Sequence, residues 1–314
     1  MKKYTLMLGA IILTSINVTA CDVCGGFGGI LPNEDKHSIS IFYRYRAFKN
    51  QYYNGENAWF PDGGILKTAH SPAGNQNTSS YEIFRVAELR GRFLFHKKWD
   101  LVTSLPYTMN KEVVGDEQET VSGVGDFSFF VNRYWVNNKV DQRFKYRFSA
   151  GFGFKLPTGR NNFLSENGQR IGLYNQAGTG SLDYLIFGNM SLGYKKMGLM
   201  ISSLMRVNNY NLYNERVAPI SSINAMCFRK IKINRDWIIA PSFNGAYENT
   251  KGIQIGKNWQ SGTSMKLLSC GAGLQVVWKN ISFESQLFLP VYEPLGSNSQ
   301  MSTIRIINGI VINI

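Results

Sequence analysis

The residues best suited to chemistry open what reads as the mature chain. "CDVCGGFGG", Cys21 to Gly29, directly follows an apolar N-terminus. A C-x-x-C can be a redox pair, half of a zinc site, a haem attachment or, at its first cysteine, a lipid anchor. Haem attachment needs histidine directly after the second cysteine, and Gly25 stands there. A thioredoxin-type pair needs a helix N-terminus to lower a thiol pKa, and "GGFGG" does not start a helix. Zinc needs two more ligands. The nearest histidine is His37 and the sequence holds no second C-x-x-C, so no metal is assigned. Nucleophilic catalysis fares no better, because His37, His70 and His96 fall at a strand start, in a long loop and in a short turn. No enzyme and no cofactor are expected.

What remains of the cysteine pair depends on the compartment. "MKKYTLMLGAIILTSINVTA" has a basic start at Lys2 and Lys3, an apolar run from Leu6 to Leu13 and a small-residue site at Val18–Ala20. That pattern predicts a signal peptide over 1–20 and export by a bacterium. Cleavage there makes Cys21 the first residue. It is then either acylated, as in a relaxed lipobox, or disulfide-bonded to Cys24 in the oxidising envelope. Residues 21–36 form a Gly-rich periplasmic lead-in. Cys227 and Cys270, within strands, are expected to pack as small hydrophobes. The formal charge is +13 (34 basic less 21 acidic residues), or +11 without Lys2 and Lys3. An exported basic chain meets lipid phosphates or anionic solutes, not nucleic acid.

The elements that must position any site follow a period of two. In "KYRFSAGFGFK", Tyr146, Phe148, Ala150, Phe152 and Phe154 share one face, and Lys145, Arg147, Ser149, Gly151, Gly153 and Lys155 the other. Twelve such runs span 37–314, with short connections at one end alternating with long ones near 49–80, 111–123, 158–180, 210–216, 249–263 and 293–302. Runs of this length suit tilted membrane strands better than soluble ones. Aromatic residues gather near their ends, among them Trp99, Tyr134, Trp135, Trp237, Tyr247 and Trp278. The expectation is an all-β, antiparallel, up-and-down transmembrane barrel of about twelve strands. Its short turns and both termini are periplasmic, and its partners are outer-membrane lipid and the barrel assembly machinery. A soluble, secreted β-sandwich or barrel is the competing fold.

The face opposite the apolar one then lines the lumen. It carries Arg44, Arg46, Glu82, Glu88, Arg90, Arg92, Asp126, Lys145, Arg147, Lys155, Asp183, Arg206, Glu248, Glu284 and Arg305, with Phe84, Phe130, Phe187 and Phe288 among them. Mixed charges predict ion-pair ladders or a pore lining with mild anion preference. Arg85 and Arg133 fall on apolar faces and are expected to snorkel to an interface. Phe152→Arg, at the centre of its strand's apolar face, should be costly, and Gly153→Ser, on the lumen face, mild.

Four motifs punctuate the strands: "GVGDFSF" from Gly123, "GFGFKLPTG" from Gly151, "AGTGSLDYLIFG" from Ala177 and "APSFNGAYE" from Ala240. In this order they resemble those of the outer-membrane β-barrel proteins grouped as transporters of the phenol meta-cleavage pathway, over residues 81–314. The opening "CDVCGG" resembles a related group from Bacteroidota. The resemblance implies passive passage of small solutes, hydrophobic or aromatic ones among them. A structural barrel with a plugged lumen is the alternative. Pro157 and the glycines read as barrel-rim devices. The chain ends on Ile314, where such barrels commonly end on an aromatic residue.

Overall fold

Local alternation becomes a wall once each strand finds two neighbours. The computed structural model describes residues 36–49, 80–96, 98–114, 117–141, 144–260, 263–294 and 301–314. Cys21, Cys24, the N-terminal segments and His70 lie outside the described residues. The strands are β1 Ser38–Lys49, β2 Ser80–His96, β3 Trp99–Val114, β4 Glu117–Val124, β5 Ser128–Asp141 and β6 Phe144–Lys155. They continue as β7 Asp183–Tyr194, β8 Met197–Val207, β9 Glu215–Val217, β10 Ile220–Arg229, β11 Ile231–Lys232 and β12 Trp237–Thr250. The last are β13 Ile253–Ile255, β14 Asn258–Trp259, β15 Met265–Trp278, β16 Ile281–Tyr292 and β17 Met301–Asn313.

The long strands pair antiparallel with their neighbours along the chain, β1 also pairs with β17, and β10 joins β12, so the sheet closes. β4 and β5 are two parts of one stave, because both pair with β3. With β9, β11, β13 and β14 left as short accessories, the barrel has twelve staves. Closure leaves the sheet no free edge. The backbone N–H of Ile314 donates to the His37 carbonyl, so both ends of the barrel domain meet at one rim.

The faces divide as the alternation requires. In β1, Ser38, Ser40, Phe42, Arg44, Arg46 and Phe48 are buried inside, while Ile39 and Ile41 are exposed outside. The outer face is apolar around the barrel, with Leu89, Phe152, Ile186, Phe243, Leu274, Phe283 and Ile310 all exposed. Such a belt is stable only against hydrocarbon. On β12, Trp237 and Tyr247 bracket ten residue steps, which on a strand tilted by about 45° is about 25 Å, the height of a lipid-facing band. Trp237 stacks on Trp278 with ring centroids 5.9 Å apart. Arg133 snorkels as expected, its guanidinium 4.4 Å from the Trp135 ring and 5.3 Å from that of Trp99. Arg85 is half-buried on the outer face. Cys227 and Cys270 also stand on the outer face, unpaired.

Three expectations are corrected. The connection at 111–123 is mostly strand, since β3 and β4 form a hairpin paired from Tyr107–Val124 up to Val114–Glu117. Phe152 is not central: it lies three residues before β6 ends, in an aromatic patch with Phe154 (5.0 Å) and Tyr184 (6.2 Å). Finally, Gly153 has no room. A Cβ there would stand 2.1 Å from the Phe129 carbonyl oxygen and 2.3 Å from Phe130 Cβ. Gly153→Ser, and even Gly153→Ala, is therefore expected to destabilise the barrel by about 1–3 kcal/mol. Gly245→Ala, where a Cβ meets nothing within 4 Å, should be near neutral. Urea midpoints of folded barrel in vesicles compare the two, and equal midpoints would overturn the steric reading.

Candidate functional site

The motif glycines and charges converge at the rim that carries the long connections. Pro106 has no N–H to donate, and near it β3 changes partner from β5 to β4. At that junction Gly125, Asp126 and Phe127 leave the ladder, with the Gly125 N–H donating to the Pro106 carbonyl at 2.8 Å. Asp126 turns inward and meets Lys155 at 2.6 Å, and Lys155 Nζ also lies 3.0 Å from Asp183. Asp126 further accepts the backbone N–H groups of Gly159 (2.9 Å) and Thr179 (2.8 Å). The Ser181 hydroxyl donates to Asp183 at 2.8 Å. Gly159 and Gly178 touch backbone to backbone, since a Cβ on Gly178 would come within 2.6 Å of the Gly159 carbonyl carbon. The G-x-G-D, K-x-P-T-G and G-T-G-S-x-D motifs are thus one knot. It ties both ends of the 156–182 connection to the wall.

The middle of that connection lies over the barrel mouth. Leu173 packs with Val217, Ile220 and Ile253. Asn175 donates from its side-chain amide to Glu112. The Asn110 amide donates to the Asn175 carbonyl at 3.3 Å, and the Tyr174 hydroxyl donates to the Thr263 carbonyl at 3.3 Å.

Below it stand two buried ion clusters with different geometry. Glu88 meets Arg44 at 2.6 Å and Arg90 at 2.8 Å, and accepts the Ser104 hydroxyl at 2.6 Å. All of these sit on β1, β2 and β3, so the cluster hugs the wall. Arg46 and Arg305 are cross-strand neighbours on β1 and β17. Their shared carboxylate, Glu248, comes from β12, three staves beyond β17 in the sheet order, at 3.0 Å from Arg46 and 2.5 Å from Arg305. This cluster is a chord across the lumen. Glu293, in the connection after β16, is pushed up to about 7 by burial, against a hydrogen bond from the Ser302 N–H.

Arg46 and Arg305, the two arginines of the chord, line two different cavities. The upper one, about 130 Å³, lies beneath the 156–182 connection and is lined by Arg44, Arg46 and Lys155 together with Phe48, Phe84 and Met265. The lower one, about 30 Å³, has Arg305, Phe288, Asn244 and Met226 in its wall. Apolar side chains fill much of the remaining interior: Phe42 with Ala246, Phe288, Ile307 and Val311 on one side, and Val102 with Phe130, Phe187 and Leu204 on the other.

Of the predicted lumen residues, Arg44, Arg46, Glu82, Glu88, Arg90, Asp126, Asp183, Arg206, Glu284 and Arg305 are buried inside. Glu82 is in register with Glu112 near the long-connection end. Arg92 is half-buried near the short-turn end, bonded to Asp100 at 2.7 Å and to the Tyr134 hydroxyl at 2.6 Å. Two positions differ from expectation. Lys145 shares the lumen-face parity but is exposed at the end of β6, outside the enclosed space, and Arg147 lies 5.2 Å over the Tyr134 ring near the same rim. Tyr134 itself turns inward and is no part of an outer girdle, because its hydroxyl finds Asp100 at 2.7 Å. Asp100, Asn110 and Glu112 are buried residues absent from the prediction. Asp100 was readable from its parity with Val102 and Ser104, whereas Asn110 and Glu112 fell at the edge of an expected loop. Among the described residues no group of three His, Cys, Asp or Glu side chains is arranged to hold a metal.

With this geometry in view, solved structures give a direct comparison. The crystal structure of the COG4313 outer membrane channel from Pseudomonas putida F1 matches with a TM-score of 0.58 at 10% identity, covering 91% of this chain and 100% of that one. The chain is a bacterial outer-membrane β-barrel. The transport unit of the autotransporter AIDA-I from Escherichia coli matches at a TM-score of 0.46 and 9% identity, covering 90% of this chain and 91% of that one. No protein-family model and no curated protein matches the chain.

Proposed function

We propose that this barrel is an outer-membrane channel for the passive passage of small solutes, entered through the upper cavity. The observation that carries the reading is the cavity of about 130 Å³ inside the barrel, with Arg305, the cross-strand neighbour of its Arg46, lining a second cavity. A barrel built only as a wall gains nothing from a cavity roofed by its own loop. Twelve staves enclose more than a filled eight-stranded barrel and far less than a porin, which suits solutes of one ring or a few carbons. Phe48, Phe84 and Met265 in the cavity wall support hydrophobic or aromatic bodies. The likeness of the motifs to phenol-pathway transporters points the same way.

A second reading, a structural barrel with a permanently closed lumen, draws support from the apolar clusters around Phe42 and Phe130. Planar-bilayer recording separates the two. The wild-type protein is expected to show small, intermittent conductance steps. Glu248→Gln keeps the side-chain shape but loses the charge that draws two guanidiniums into the lumen, so it should raise conductance or open time several-fold. Silence from both proteins would leave the closed barrel standing.

A further inference from the structure

The upper cavity is chemically lopsided. Its carboxylates are saturated: Glu88 is held by Arg44, Arg90 and Ser104, and Asp126 by Lys155, Gly159 and Thr179. A cationic solute therefore finds no vacant anion there. Arg46 is different. It is 1% exposed, yet one Nη2 contact is to the Met265 thioether at 3.7 Å, a weak acceptor, and its Nε–H donates to no described residue. A guanidinium's fork matches a planar carboxylate at two points, and a buried donor left unmade is costly. Beside this fork the wall is apolar. The Phe48 ring lies 4.7 Å from the Arg46 guanidinium, and Phe84 packs edge-on against Phe48 at 5.6 Å. The volume of about 130 Å³ is close to that of a cavity that takes benzene, about 150 Å³.

We propose that the upper cavity binds a small amphipathic carboxylate, its anionic group on Arg46 and its ring or short chain against Phe48, Phe84 and Met265. This names the solute class for the channel reading and rests on it. Glu248 is then the protein's own carboxylate at that position. A solute arriving from above competes with Glu248 for Arg46, and Arg305, in register with Arg46 and lining the lower cavity, is the next guanidinium on the way through.

The test is binding to the purified full chain in detergent, which does not depend on passage. Benzoate and benzyl alcohol have the same ring and differ in charge. Calorimetric titration at about pH 6 keeps benzoate ionised. Wild type should bind benzoate at least about tenfold more tightly than benzyl alcohol, the worth of one charged hydrogen-bond pair. Arg46→Gln should remove that preference and leave benzyl alcohol unchanged. Val86→Phe, which adds a ring to the cavity wall without touching a charge, should weaken both ligands; it keeps the test open if Arg46→Gln fails to fold, as judged by heat-modifiable gel migration. Equal affinity for the two ligands, or a benzoate preference that survives Arg46→Gln, overturns the proposal even if the barrel conducts. Benzoate binding with no conductance would instead sink the channel reading.

Discussion

Lys155→Met is expected to destabilise the folded barrel by about 3–5 kcal/mol, the cost of stranding buried charges. Lys155 stands between Asp126 and Asp183, and these three side chains are 4%, 5% and 0% exposed. Removing the ammonium leaves two buried carboxylates facing each other. Gly159 and Thr179 N–H groups can still satisfy Asp126, but they carry no full charge. The damage should also be local. The 156–182 connection is tied at both ends to this knot, so the variant should be cut by trypsin at Arg160 or Arg170 while wild type resists. The triple change Asp126→Asn, Lys155→Met, Asp183→Asn should recover part of the loss, because it removes the uncompensated charges together. A urea midpoint for Lys155→Met equal to that of wild type would show that the knot does not hold the connection.

The second large effect is on the outside. Phe243 is 63% exposed and lies on β12 between the girdle residues Trp237 and Tyr247, close to midway. Phe243→Arg should cost about 2–4 kcal/mol of folding into vesicles, the value for arginine near a bilayer midplane. Phe152→Arg should cost less, because three residues separate it from the end of β6 and an arginine there can snorkel. Equal midpoints for the two variants would misplace the lipid band.

Much of this architecture was legible in residue order alone. Which way a side chain points on a strand depends only on the pleat, so the inward set of Arg44, Arg46, Glu88, Arg90 and Arg305 could be read without knowing any partner. Strand number and the alternation of short and long connections are equally local. The end of each strand was less secure. Asp126 and Pro106 mark the place where β3 changes partner, and the hairpin beyond it reads as loop because its polar residues, Glu112 and Glu119 among them, break the apolar alternation. Nothing in "GFGFK" announces that Gly153 is walled in by Phe130, which comes from the preceding strand.

What only the closed barrel decided is who meets whom. Arg46 and Glu248 are 202 positions apart, and each is equally plausible on any neighbour's face until the sheet closes. Closure at twelve staves sets which strands stand opposite, and the stagger of their register sets which residues share a height. Those two quantities turn one arginine–glutamate pair into a wall contact, as at Arg44–Glu88, and another into a chord across the lumen, as at Arg46–Glu248. Pleat geometry acts over two residues, whereas the chord depends on the circumference of the whole barrel.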